Sequence, residues 1–213
     1  MQQQLVVLAR WPAAGRCKHR LADSCGSTDA AARVQAALTR HTLAVARAWA
    51  GSSGTALTLA VDGLGPQARR RWAQALRVQH CCNQGGGNLG CRMQRQLQRG
   101  FNGGAERVVL IGSDLPQLER GDLRAAFRAL RDTPLVLGPA RDGGYWLIGC
   151  TRAGFELAGA ALMSGISWGS NQVLVETERQ AATLALPVTR LRQQNDLDNR
   201  ADLLPWLRRT AAP

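Results

Sequence analysis

A single lysine, Lys18, stands in this chain among 27 Lys and Arg residues, so every other lasting cation is arginine. It lies in Gly15-Arg16-Cys17-Lys18-His19-Arg20, entered through Arg10-Trp11-Pro12-Ala13-Ala14. An ammonium is a compact point charge and a guanidinium a planar fork, so a solitary lysine suits a site wanting the former. The apolar run at 5–9 precedes it, and a basic, glycine-containing loop at the carboxyl end of a first strand is where open α/β sheets hold phosphorylated ligands. The competing reading is a solvated basic loop.

Four aspartates carry the complementary chemistry. Asp114 follows the apolar run at 107–112, where small Gly112 and Ser113 allow a sharp turn at the sheet edge. Its alternative is a helix cap, which Glu119 and its neighbours supply separately. Asp196-Leu197-Asp198 follows a later strand, and a spacing of two puts both carboxylates on one side of an extended segment. Carboxylates from separate strand ends can hold Mg²⁺ or Mn²⁺ beside a diphosphate, with phosphate and water filling the remaining positions. Here the alternative is that Asp198 or Asn199 caps the last helix. Asp142, before Gly143-Gly144, could accept a hydroxyl's hydrogen bond or act as a base, or it could form an Asx turn.

Those residues need a scaffold, and the pattern supplies one. Strands are expected at 5–9, 55–61, 78–82, 107–112, 135–138, 145–149 and 187–191. Helices are expected at 30–50, 66–76, 120–131, 171–184 and from about 200, with another after the loop at 85–90 that aligns Met93, Leu97 and Phe101. Alternation of apolar strands with helices argues for a mostly parallel sheet covered on both faces. The Asp142-Gly143-Gly144 turn hints that the later part departs from simple alternation. At 213 residues, one domain spanning 1–213 is the natural count.

Composition narrows the partners. A formal charge of +12 invites a nucleic-acid reading. The arginines are dispersed without interleaved aromatics, which favours small anions over a specific nucleic-acid surface. Six cysteines without a C-x-x-C pair suggest free, mostly buried thiols rather than zinc or a disulfide framework. The apolar runs are short of membrane-spanning length and the first residues lack a signal-peptide pattern, so a cytoplasmic protein without membrane partners is expected. The sequence is compatible with an oligomer.

Several ordered motifs resemble one family. Residues 8–21, Ile111-Gly112-Ser113-Asp114-Leu115-Pro116, residues 137–149, Ile166-Ser167-Trp168, and Asp196-Leu197-Asp198 with Asp202-Leu203 are similar to motifs of the radical-SAM/selenodomain-associated transferases. That GT-A-like group is also described as arsenosugar-biosynthesis glycosyltransferases and is related to the molybdenum-cofactor and coenzyme F420 nucleotidyltransferases. The resemblance implies a GT-A-like three-layer α/β/α sandwich acting on a nucleotide-activated donor and an acceptor of unknown identity. It implies phosphate contacts from Ala9, Gly15, Arg16, Lys18 and Arg20, and metal ligation by Asp114, Asp198 and Asp196 with Mg²⁺ or Mn²⁺. It also implies Asp142 in catalysis, with Asp142, Gly143, Gly144 and Trp168 at the sugar or acceptor. Glycosyl transfer is the leading expectation and pyrophosphate-releasing nucleotidyl transfer the runner-up; a non-catalytic nucleotide or nucleic-acid binder is the third. The chain departs from the family pattern at Asn88, in place of an aspartate, and at His19, Gly169-Ser170 and Asn199.

Overall fold

Alternating apolar strands and capped helices build three layers around one seven-stranded sheet. The structure, a computed structural model, describes residues 2–203 and 206. Its strands are β1 Gln3–Arg10, β2 Ala56–Asp62, β3 His80–Asn83, β4 Arg107–Ile111, β5 Leu135–Pro139, β6 Tyr145–Thr151 and β7 Val188–Arg190. Its helices are α1 His19–Cys25, α2 Thr28–Ser53, α3 Pro66–Ala75, α4 Leu89–Asn102, α5 Arg120–Ala129, α6 Arg152–Ala158 and α7 Val173–Thr183. A 3₁₀ turn covers Ala161–Met163, and residues 200–203 are helical. The rest of the expected terminal helix, apart from residue 206, lies outside the described residues.

The sheet order is β3-β2-β1-β4-β6-β5-β7. β1 runs parallel to β2 and β4, β2 to β3, and β5 to β7, while β6 is antiparallel to both its neighbours. The departure hinted at by Asp142-Gly143-Gly144 is therefore a β5–β6 hairpin, with β6 inserted between β4 and β5.

Period-two alternation along the strands decides the layers. Leu5, Val7, Leu59, Val61, Val109 and Ile111 face one side and pack with Leu43 and Ala46 of α2, Ala73 of α3 and Phe127 of α5. Val6, Ala60, Val108, Leu110 and Ile148 face the other, with Met93, Leu97 and Phe101 of α4, Phe155 of α6 and Ala181 of α7. A third cluster, including Leu21, Leu38, Leu197 and Trp206, ties α1 and the end of the chain to α2.

Side-chain caps start the helices beside the sheet edge. Ser27 accepts the Ala30 N–H at 3.1 Å to open α2. Glu119 and Asp122 form a reciprocal capping box on α5, so Asp114 is free of that task, as the sequence suggested. The cysteine expectation needs correction. All six thiols are free, but only Cys17 and Cys150 are buried: Cys25 in short α1 and Cys81 and Cys82 on the edge strand β3 are half-buried, and Cys91 in the first turn of α4 is exposed.

Candidate active site

Parallel pairing sends the carboxyl ends of β1, β2, β4, β5 and β7 to one edge of the sheet, and every loop leaving those strands opens there. A cleft of about 590 Å³ occupies that edge. It is lined by Lys18 and Arg20 after β1, Asp114 after β4, Asp142 and Gly144 in the β5–β6 turn, Trp168 before α7, and Asp196 and Asp198 after β7. Of the residues anticipated from sequence, Ala9, Gly15, Arg16 and Gly143 are absent from the lining. Ala9 is buried, with its carbonyl accepting the Gln84 amide at 3.2 Å, and Gly15 and Arg16 lie exposed in the preceding turn.

Lys18 is the centre of the arrangement. Its Nζ donates to Asp114 Oδ2 at 2.8 Å and to Asp198 Oδ1 at 3.1 Å, with only 4% of its side chain exposed. The solvated-loop reading therefore does not hold for this residue. Its backbone sits in the left-handed region at φ 50° and ψ 50°, immediately before α1, a conformation unusual for a residue with a side chain. Burial alone would push the ammonium's pKa down, but Asp114 and Asp198 outweigh it and hold the pKa above its ordinary value. Arg20 Nη1 lies 3.5 Å from Asp198 Oδ2 at the solvent side.

The segment carrying Asp198 divides its labour. Asn199 Oδ1 accepts the Ala201 N–H at 2.8 Å and caps the 200–203 helix, leaving the Asp198 carboxylate to Lys18. Asp202 Oδ2 accepts the backbone N–H groups of Asp198 and Asn199, each at 3.0 Å, which fixes the turn. Asp196 Oδ1 is buried with no hydrogen-bond partner among the described residues. Burial first, and then the Asp114 charge, push the Asp196 carboxyl up to about 8.

Asp142 and Trp168 also line the cleft. Asp142 Oδ1 accepts the Gly144 N–H at 3.0 Å, so the Asx turn and a carboxylate lining the cleft coexist in one residue. Gly143 has φ +88°, and a Cβ there would come within 2.0 Å of the Asn171 carbonyl oxygen. With the Leu174 N–H donating to its carbonyl at 2.9 Å, Gly143 locks the hairpin turn against the chain entering α7. The Trp168 indole lies against Gly90, where a Cβ would meet it at 2.5 Å.

Sequence reasoning passed over a second charged group in the cleft. Asp62 ends β2 and pairs with Arg10 at 3.1 Å and Arg92 at 2.9 Å. Burial would raise the Asp62 pKa, but Arg92 and then Arg10 bring it below the ordinary value. Its signal was available, since Asp62 closes an apolar strand near the edge where Asp114 follows β4. Asn88, the departure from the family's aspartate, accepts the Cys91 N–H at 2.9 Å and caps α4. An amide oxygen performs that task as well as a carboxylate does.

The donor set suits a hard divalent cation. Among the described residues no three His, Cys, Asp or Glu side chains gather closely enough to enclose an ion unaided. Asp114 and Asp198 nonetheless already converge on one cation, the Lys18 ammonium. Mg²⁺ characteristically takes one or two carboxylates and draws its other ligands from substrate phosphates and water. The orphaned Asp196 oxygen lies within electrostatic reach of Asp114 and adds to the negative potential there. Among the described residues, no helix is long and apolar enough to cross a membrane.

Structural likeness agrees with the architecture. A provisionally assigned nucleotide-diphospho-sugar transferase from Desulfovibrio desulfuricans G20 is 30% identical, with a TM-score of 0.83 over 95% of this chain and 85% of that one. CMP:2-keto-3-deoxy-manno-octonic acid synthetase complexed with CTP shares the fold at 11% identity, with a TM-score of 0.62 over 99% of both chains. So does the Rv0371c–manganese complex from Mycobacterium tuberculosis H37Rv, at 22% identity and a TM-score of 0.54 over 98% of this chain and 100% of that one. No curated protein sequence matches the chain. A family profile matches residues 42–170, across β2 to β6, and the chain belongs to that family, the uncharacterized proteins conserved in bacteria designated DUF2064.

Proposed function

We propose that this chain is a metal-dependent transferase of the GT-A type, a single domain that moves a sugar from a nucleotide-activated donor to a hydroxyl acceptor. One observation carries the reading: a buried ammonium and two carboxylates from three separate loops meet in a cleft at the carboxyl edge of a parallel sheet. Such a group suits a diphosphate and its counter-ion. The family relative at 30% identity supports a nucleotide-sugar donor, and the motifs shared with the radical-SAM-associated transferases support glycosyl transfer. The Rv0371c–manganese complex supports Mg²⁺ or Mn²⁺ as the ion.

In this reading Lys18 and Arg20 bind the donor's phosphate oxygens, while Asp114 and Asp198, with Asp196, hold the ion. Bound there, a divalent cation would neutralise charge developing on the departing nucleoside diphosphate. Trp168 forms an apolar wall for the sugar or acceptor. Asp142 takes the proton from the acceptor hydroxyl as its oxygen bonds to the anomeric carbon. The bond from that carbon to the β-phosphate oxygen breaks, and the nucleoside diphosphate leaves with the electron pair.

Nucleotidyl transfer is the second reading, favoured by the fold shared with the CTP-bound synthetase. Phosphorus NMR of products separates the two. Nucleoside diphosphate from a nucleotide-sugar indicates glycosyl transfer, and pyrophosphate from a nucleoside triphosphate indicates nucleotidyl transfer. Neither product across a panel of bases, sugars and hydroxyl acceptors would defeat both.

A further inference from the structure

The two carboxylates offered to a metal already share a cation from the protein itself. Lys18 Nζ bridges Asp114 and Asp198 at 2.8 and 3.1 Å, and its side chain is 4% exposed. Two further features hold it there. The left-handed turn at Lys18 leads directly into α1, and Leu21 and Ala22 of that helix are buried against the α2 cluster. Asp198 is fixed by the Asp202 cap on its own amide. With both carboxylates shared by one ammonium, a free divalent ion must break two charge-assisted hydrogen bonds to enter. It would also meet the Lys18 charge at close range.

We infer that Lys18 makes the cleft selective for the metal–nucleotide complex over the free ion, a reading that rests on the proposed metal-dependent transfer. A diphosphate gives the ammonium new anionic partners, so Lys18 can turn from Asp114 and Asp198 toward phosphate. That releases the two carboxylates for the ion arriving on the same phosphates. One side chain thus serves as internal counter-ion before loading and as phosphate ligand after it. Because coupling free energies are reciprocal, the ion must raise nucleotide affinity by the factor by which nucleotide raises ion affinity.

The lone lysine makes the test direct. Labelling with ¹³Cε,¹⁵Nζ-lysine places one reporting side chain in the spectrum of the wild-type protein, with no substitution needed. Mg²⁺ alone should leave that resonance in place, whereas Mg²⁺ with UDP, CDP, GDP or ADP should move it. A shift on Mg²⁺ alone, matching the shift with nucleotide, overturns the inference. Equilibrium dialysis of Mn²⁺ against wild type and Lys18→Met supplies the second arm. Lys18→Met should retain Mn²⁺ without nucleotide at least about tenfold more tightly than wild type, since the binding-competent state is no longer a minor one. Equal retention by the two proteins defeats the selectivity role, while nucleotide-dependent retention in wild type would leave the transferase reading standing. Mn²⁺ retention by neither protein, with any of the four nucleotides, removes the metal-dependent reading and the inference together.

Discussion

Glu176, in the first turn of α7, accepts both hydrogen-bond donors of Ser167: the backbone N–H at 2.6 Å and the hydroxyl at 3.1 Å. Ser167 precedes Trp168, so one carboxylate fixes the entry to the segment that walls the cleft. Glu176→Ala should release that segment while leaving the sheet and the Lys18 group intact. The expected cost in stability is about 1–2 kcal/mol for two charge-assisted bonds at a mostly exposed site. Faster hydrogen exchange at the Ser167 amide, and Trp168 emission shifted toward that of exposed indole, would show the release. The emission change should vanish in a Trp168→Phe background, and Glu176→Gln should retain part of the anchoring.

Lys18→Ala should destabilise the protein, because it takes the ammonium from Asp114 and leaves Asp198 only the solvent-side contact with Arg20 at 3.5 Å. Both carboxylates are about one-third exposed, at 33% and 37%, so water offsets much of that loss. A loss of about 1–2 kcal/mol in urea unfolding is expected, below that of a fully buried pair. Adding Asp198→Asn to Lys18→Ala should recover part of it, and an additive double mutant would show that the two residues do not interact.

Asp196 sets a slope of stability against pH. Its folded carboxyl titrates at about 8 against 3.8 in the open chain, so the folded state binds the extra proton between those values. Its contribution is therefore complete below about pH 4, falls as pH rises toward 8, and is flat beyond. Thermal melts of metal-free protein from pH 4 to 9 should show this decline, and Asp196→Asn should flatten it. An unchanged slope in Asp196→Asn would place the titration elsewhere.

Asp142→Asn separates chemistry from folding. The amide oxygen can still accept the Gly144 N–H, so the turn should survive and melting should be nearly unchanged. Losing the base should lower kcat by about 10²–10⁴-fold with little change in donor affinity. A kcat within a few-fold of wild type would leave Asp142 as a turn residue.

What the sequence revealed follows from how local each signal is. β4 and the freed Asp114 were legible because an apolar run, small residues and a separate α5 cap lie within 15 consecutive positions, 108–122. α1 went unseen because His19–Cys25 spans about two turns, too short for a periodic stripe, and its stability comes from packing on α2. Burial of Lys18 was illegible for another reason: its partners lie 96 and 180 residues away, and a basic loop looks the same whether it meets water or carboxylates. Asp62 could be read as a strand-end carboxylate, but its pairing with Arg10 and Arg92 was hidden likewise, since three elements must assemble before those charges meet.

The position of β6 also orders events in time. β4 has no bonded neighbour on its β6 side until β6 arrives, and β6 must reverse at Ala140–Gly144 to pair with β5 as well. The segment 135–151 can form early as a local hairpin, but the pairing of Val108 with Cys150 closes a much longer loop. Such closures are slow relative to hairpin formation. During synthesis, β1 to β4 would therefore wait with an open edge until residue 151 leaves the ribosome. β7 can add to the outer edge of β5 independently, but only the docking of β6 on β4 joins the two halves and brings Asp198 to the buried lysine, so the cleft is assembled after that long-range closure.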